Sequence, residues 1–373
     1  METVRKEGEW VRAWGYNFQW THDHLTPEQM RPMMFSYDAL ATECLDRLDE
    51  LAPQKSFRSR QPAGPKPQDA SPREAAECPL PDLYSLLQQH APSDPSLQRL
   101  LSEVNTIPPW VDWAQLARGQ KVFYRYAGPS IVSLTFQSLL GGMGSHRIVE
   151  TLTRTGGFSV PIARRRLLET FSHILSVTSS LPSIQPGGHG FTSTLRVRLL
   201  HASVRRRILR LTTSSPSYYP TSTLGVPISD LESLATILSF SAALIWIGFP
   251  RQGIYLRPDE VADYLALWRY TAHLIGAPTS HLATPALAKA ALESLIASEI
   301  EPSETSKILA NNIIASLKEQ EPTYASADFL RAEAHWLNGR ELADALADGG
   351  EVERELEGYG DEAAWWEGGG AWV

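Results

Sequence analysis

Thr194-Leu-Arg-Val-Arg-Leu-Leu-His-Ala-Ser-Val-Arg-Arg-Arg-Ile-Leu-Arg-Leu211 places apolar residues at 197, 200, 204, 208 and 211, the recurrence of an amphipathic helix. At about 100° per residue, His201 stands roughly 40° round the helix from Val197, whereas Arg206 and Arg210 point to the other side. The pattern predicts an imidazole that faces the core. Such a histidine is either a core residue satisfied by one hydrogen bond or a ligand for a metal or haem, and this helix alone leaves both readings open.

The stretch upstream, Pro161-Ile-Ala-Arg-Arg-Arg-Leu-Leu-Glu-Thr-Phe-Ser-His-Ile-Leu-Ser-Val-Thr178, begins with proline at a first helical position, where a missing N–H costs nothing. Spacings of three and four put Arg166, Thr170, His173 and Val177 on one face, so a guanidinium and a hydroxyl are displayed together. The alternative is a solvated cationic patch at Arg164, Arg165 and Arg166. Between the two predicted helices, Gln185-Pro-Gly-Gly-His-Gly190 is glycine-rich but lacks the lysine and spacing of a phosphate loop.

Outward from this centre the chain reads as further helices. Residues 9–52 hold Trp10, Trp14, Tyr16, Phe18 and Trp20, then a Thr26-Pro-Glu-Gln29 helix start and a helical pattern over 37–51. His22 and His24, one residue apart, are assigned to a surface turn. Residues 53–79 are rich in proline, serine, glutamine and lysine without apolar periodicity, the composition of a flexible linker. Helices are predicted over 81–90, 95–104, 113–126, 130–140, 230–248, from 258, and over 284–298, 304–319 and 327–346. Strand alternation with hairpin turns is not evident, and no 20- to 50-residue repeat appears. The expected architecture is all-α: a helical, aromatic-rich segment over 1–52, the linker, a main helical domain over 80–346, and a disordered acidic Gly/Trp-rich tail over 347–373.

With 373 residues the chain can bury a substantial core. The two cysteines, Cys44 and Cys78, lack metal-ligand spacing and form no disulfide framework, which favours a reducing compartment. Formal net charge is −8, with arginines dense between 147 and 210 and acids beyond 341. No nucleic-acid motif accompanies the basic patch, so nucleic acid is not the expected partner. The charged N-terminus has no signal-peptide core. The apolar run Leu234–Phe249 falls short of the roughly 20 residues of a bilayer span and reads as a buried core helix. A cytoplasmic protein without a transmembrane segment is expected, with room for peripheral membrane contact.

Arg147-Ile-Val-Glu150, Thr155-Gly-Gly-Phe158, Arg166-Leu-Leu-Glu-Thr170, Arg196-Val-Arg-Leu-Leu-His201-Ala-Ser-Val-Arg205 and Ala266-Leu-Trp-Arg-Tyr-Thr-Ala-His-Leu-Ile-Gly-Ala-Pro278 resemble the rubber oxygenase (latex clearing protein) family. That family includes the oxygenase of mycophenolic acid biosynthesis, and its members are haem enzymes. The resemblance implies a globin-like helical core around one haem b over about 108–280, continuing more weakly to about 346. It implies that His201 is the proximal iron ligand and that Glu150, Arg166 and Thr170 lie on the distal, catalytic side. It also departs in one place, because Glu169 stands where rubber oxygenases carry a lysine able to cap the iron.

A haem that activates oxygen needs a neutral imidazole on one face, an open position on the other and polar groups near bound dioxygen. Arg166 and Thr170 would donate hydrogen bonds there and Glu150 would act as base or proton shuttle. Helical geometry puts Arg198 and Arg205 about 60° and 40° round from His201, within reach of the haem propionates, with water as the alternative partner. The leading expectation is dioxygen-dependent cleavage or oxygenation of an alkene in a hydrophobic, isoprenoid-like small molecule. The rivals are a haem peroxidase or hydroxylase and a non-catalytic haem-binding or interaction protein.

Overall fold

Capping chemistry and 3.6-residue periodicity cut the chain into helices whose faces meet in three adjoining cores. The structure, a computed structural model, describes residues 5–51, 82–154 and 159–347. The Pro-rich stretch over 53–79, with Cys78, the Thr155–Phe158 motif and nearly all of the acidic tail lie outside the described residues.

The first element corrects the sequence reading. Strands β1 (Trp10–Ala13) and β2 (Tyr16–Gln19) pair antiparallel with Val11 opposite Phe18. Trp14 (φ 53°) and Gly15 (φ 71°) form the two-residue connection; positive φ at both positions is what matches the twist of a tight hairpin. Val11, Phe18 and Trp20 are buried together on one side. The aromatic run was legible as apolar, but its period-2 alternation is too short to stand out beside helices.

Helices α1 (Pro27–Met30) and α2 (Ala39–Leu51) follow, then α3 (Leu83–His90), α4 (Pro95–Asn105), α5 (Trp113–Arg125) and α6 (Ala127–Val132), the last running into a π-helical stretch, Ser133–Leu140. Thr26 and Gln29 close the expected N-terminal box of α1. Next come α7 (His146–Arg154), α8 (Val160–Thr178), α9 (Leu181–Ile184), α10 (His189–Ser214) and α11 (Thr221–Leu224). The helix expected over 230–248 is interrupted. α12 (Asp230–Phe240) ends at Ser241 (φ −125°, ψ −80°), and a π-helical turn, Leu244–Gly248, leads into α13 (Phe249–Arg251). Together residues 230–251 are long and apolar enough to cross a bilayer by length and composition, longer than the sequence reading allowed, yet most of that surface is buried. α14 (Pro258–Ile275), α15 (Pro285–Ser298), α16 (Glu304–Leu317), α17 (Ala327–Asn338) and α18 (Arg340–Leu346) complete the fold.

α14 runs through the middle. A Cβ on Gly119 of α5 would fall 2.3 Å from the Asp263 carbonyl oxygen, so the two helices approach to backbone contact, clamped by a two-pronged Arg118–Asp263 pair at 2.8 and 3.0 Å. One face of α14 joins α5, α12 and α15 around Tyr264 and Trp268. The other joins α2, α4 and α10 around Leu267, Tyr270 and Leu274. A third core links α7 and α8 with α16–α18 and the π-helical stretch. Among the described residues the architecture is all-α apart from the hairpin.

Candidate functional site on the paired helices α8 and α10

α8 and α10 form an antiparallel hairpin closed by the glycine-rich loop. A Cβ on Gly190 would lie 2.6 Å from the Ser176 carbonyl oxygen, so the loop's glycines serve close helix approach. Ser183 Oγ bridges the junction, accepting from the Gly190 N–H at 3.0 Å and donating to the Ser176 carbonyl. One turn further in, His173 Nδ1 of α8 bonds Ser193 Oγ of α10 at 2.9 Å. His201 follows Ser193 by eight residues, roughly 12 Å along the helix.

The imidazole of His201 makes no hydrogen bond to any described residue. Burial pushes its pKa down to about 4, and the nearby charges of Arg205 and His173 press it the same way. Burial also holds His173 at about 4. Both rings are neutral at physiological pH, the state in which a histidine nitrogen offers a lone pair. On α8, Arg166 is partly buried, and loss of hydration lowers its pKa. Thr170 is exposed, as are Leu168 (59%) and, on α10, Leu200 (55%). Glu169, at the lysine position of the resembling family, is on the surface at 3.4 Å from Arg165.

The other side of α10 overturns the expected stripe. Ile208 is buried, but Val197 and Val204 are only partly covered and Leu200 and Leu211 are exposed. The buried face runs instead through Phe191, Leu195, Arg198, Leu199, Ala202 and Arg205. Arg198 reaches Asp38 at 2.7 and 3.0 Å and Glu103 at 2.9 Å. Arg205 donates to the carbonyls of Pro227, Asp38 and Ile228 and to Thr42 Oγ1, at 2.8–3.3 Å, and stacks over Tyr37 at 4.9 Å. A buried guanidinium is tolerated only with such partners, and they come from chain positions far from α10. The two residues expected at haem propionates are thus engaged in holding α10 to α2 and the chain before α12. Of their nitrogens, Arg198 Nη1 is the one buried without a partner.

Glu150 stands on α7, where its Oε2 pairs with Arg154 at 2.6 Å. Arg154 in turn donates to the Tyr218 carbonyl at 2.7 Å and lies over the Tyr218 and Tyr219 rings. Tyr219 Oη meets Thr151 Oγ1 at 3.3 Å. Arg166, Thr170, His173 and His201 are therefore carried by two packed helices, while Glu150 is carried by α7.

Two buried acids escaped the sequence reading. Glu232, in the stretch predicted as a helix over 230–248, closes a capping box with Ser229. Its Oε1 has no partner, and burial pushes its carboxyl up to about 7. Glu293 bonds His24 Nε2 at 3.0 Å and Tyr16 Oη at 3.0 Å. His24, expected in a surface turn, is buried, with its ring stacked on Trp20 at 4.6 Å. Nothing local in the sequence joins partners 269 positions apart.

Among the described residues no three His, Cys, Asp or Glu side chains converge to hold a metal ion. A lone imidazole suits a macrocycle that brings its own equatorial nitrogens and asks the protein for an axial ligand. The half-open apolar surface around it suits the flat body of such a group. His201 and its surroundings fit a haem on those two counts.

Comparison with known proteins follows the same line. Residues 124–365 match the family described as ER-bound oxygenase mpaB/B'/Rubber oxygenase, catalytic domain. No curated protein sequence matches. Among solved structures, the latex clearing protein LCP in the closed state superposes with a TM-score of 0.61 at 18% identity, over 94% of this chain and 86% of that one. At that identity the superposition speaks for the fold, and it is the family match, spanning well over half of the sequence, that decides kinship. This helical chain belongs to the mpaB and rubber oxygenase catalytic-domain family of oxygenases.

Proposed function

We propose that the protein is a haem b-dependent oxygenase that oxidises an alkene in a hydrophobic small molecule of isoprenoid type. The observation that carries this reading is His201: a neutral imidazole with no hydrogen bond among the described residues, on a half-open apolar face of α10 that packs against the helix carrying Arg166 and Thr170. Bound there, haem would supply an iron centre able to bind and activate dioxygen.

The chain's own residues do the rest. His201 would hold the group through one ring nitrogen, and its neutrality means that no proton need be displaced first. Arg166 offers a permanent positive charge and hydrogen-bond donors in a partly desolvated setting, where they act more strongly than in water. Thr170 adds a hydroxyl one turn away on the same face. Glu150 is assigned proton transfer, its carboxylate oriented by Arg154. Val197, Leu200, Val204 and Leu168 provide the apolar walls that an isoprenoid chain and a porphyrin both require.

The test is an absorption spectrum of the purified protein and of His201→Ala. A Soret band in the first and its loss from the second, with helical circular dichroism unchanged, is the expected result. Equal haem content in both would remove His201 as the ligand. Incubation with candidate isoprenoids under labelled dioxygen should put both labelled atoms into carbonyl products. Labelled water instead, or a requirement for peroxide, would reassign the reaction to a hydroxylase or peroxidase.

A further inference from the structure

The charge of the chain is divided between two regions. Over 160–214, which forms α8, α9 and α10, nine arginines stand against one acid, Glu169. Residues 348–373 hold eight acidic side chains against Arg354 alone, with Trp365, Trp366 and Trp372 among them, and so carry nearly all of the net charge of −8. Most of the arginines have partners. Besides Arg198 and Arg205, Arg196 pairs with Asp82 at 2.8 Å, Arg206 with Asp46 and Asp49 at 2.9 and 2.7 Å, and Arg165 lies 3.4 Å from Glu169. Arg210 stands 3.8 and 3.7 Å from the same two aspartates. Arg164 and Arg207 are exposed and make no ion pair with any described residue.

Each of these two cations stands in a line of exposed apolar side chains. Spacing of four sets Val160 (37% exposed), Arg164 and Leu168 (59%) along α8, and Arg207 and Leu211 (41%) along α10. The helices run antiparallel from the His173–Ser193 contact, so Arg207, roughly 21 Å beyond it, is level with Val160, roughly 20 Å from it on α8. Leu168 marks the inner edge, where this surface borders the His201 face. α18 delivers the tail to the same end. Leu346, its last residue, shares a core with Ala163 of α8, and the 19 residues from there to Trp365 reach up to about 65 Å, beyond the roughly 28 Å length of α8. An indole packs on aliphatic side chains and stacks on a guanidinium, and a carboxylate pairs with its donor fork. Exposed ion pairs contribute at most about 1 kcal/mol each, but attachment through the chain makes such contacts effective.

We propose that residues 348–373 dock, within the same chain, on the surface made by Val160, Arg164, Leu168, Arg207 and Leu211. The tail's tryptophans cover the aliphatic side chains and its carboxylates pair with Arg164 and Arg207. The docking does not depend on His201 holding haem.

Cross-linking in the full-length chain tests it. Cys44 is buried, so Cys78→Ser leaves introduced cysteines as the reactive pair. Ala364→Cys beside the paired tryptophans is combined with Ser214→Cys, exposed on α10 one turn beyond Leu211, or with Ile308→Cys, exposed on α16 in a helix that packs in the same core as α18. A short bismaleimide should link 364 to 214 at least about tenfold faster than 364 to 308, in a product of single-chain mass. Arg164→Glu with Arg207→Glu should cut the first rate by about fivefold or more and leave the second unchanged, with circular dichroism confirming that the variant is folded. Raising salt to about 0.5 M should slow the first rate in the unaltered arginine background as well. Equal rates at 214 and 308 would overturn the proposal, as would a rate at 214 indifferent to both salt and charge reversal. A linked product of twice the chain mass would also overturn it, by placing the tail on a second copy. Haem content is read separately, so failure here leaves the oxygenase reading standing.

Discussion

The two sides of α10 invert what amphipathicity leads one to expect. On one side, Arg198 and Arg205 are sealed against α2 and the residues before α12. On the other, Leu200 and Leu211 stand in solvent with Val197, His201 and Val204 partly covered. Hydropathy ranks residues by the cost of leaving water alone. A guanidinium that finds a carboxylate and several carbonyls no longer pays that cost unaided, and an apolar face can stay open where a ligand is to cover it. The difference teaches that the buried polar side is held by partners within the fold, and that the open apolar side is the one the proposed haem would cover.

The hardest blow to this contrast is Arg198→Met. Removing one partner leaves Asp38 buried without compensation, and such losses run to about 3–5 kcal/mol. Chemical denaturation should show that loss, and the double variant with Asp38→Leu should recover much of it. A loss below about 1 kcal/mol would mean that the pair does not hold α10 down.

Glu232 lies at the Arg205 end of the same side and makes the contrast pH-dependent. Burial raises its pKa from 4.5 to about 7, so the folded chain binds this proton more tightly than the unfolded one. Its contribution is complete below about 4.5 and is lost as the pH climbs through about 7, with an upper size on the order of 3 kcal/mol. Glu232→Gln, whose amide oxygen can still accept from the Ser229 N–H, should flatten the fall in stability between those two values. An unchanged slope in denaturation midpoints would assign the pH dependence elsewhere.

On the open side the expected losses are in turnover. Arg166→Ala should keep haem and lower oxygen consumption by about 10², the lower end for a preorganised donor because the side chain is only partly buried. Full activity with normal haem content would make Arg166 a surface charge. The smallest stability change belongs to Leu200→Ser, within about 0.5 kcal/mol as for other exposed positions. If the open face holds a hydrophobic ligand, the same substitution should still speed haem loss to apomyoglobin. An unaltered transfer rate would count against Leu200 as part of the pocket.

Much of the fold was legible because its cues are local. Thr26 caps its helix where a hydrogen-bonding side chain precedes proline, and the helices at 160–178 and 189–214 contain the 161–178 and 194–211 stretches that spacing and proline placement predict. His201 could be singled out for the same reason, since neighbours on a helix fix its face to within tens of degrees. The hairpin at Trp10–Gln19 was missed because four-residue strands carry too little alternation to separate from an aromatic loop. The break at Ser241 was missed because an apolar run has no phase to betray where helical geometry changes.

By itself, then, the sequence determined an all-helical frame and a histidine set among arginines on paired helices, because capping and periodicity act over a few residues. Only the tertiary structure decided which side of α10 is buried, that Arg198 answers to Asp38 and Glu103, and that His24 is sealed against Glu293. The pairs made by Arg198 and His24 join residues 95 to 269 positions apart. The free energy of burying a charged or polar side chain depends on a partner that hydropathy along the chain does not see.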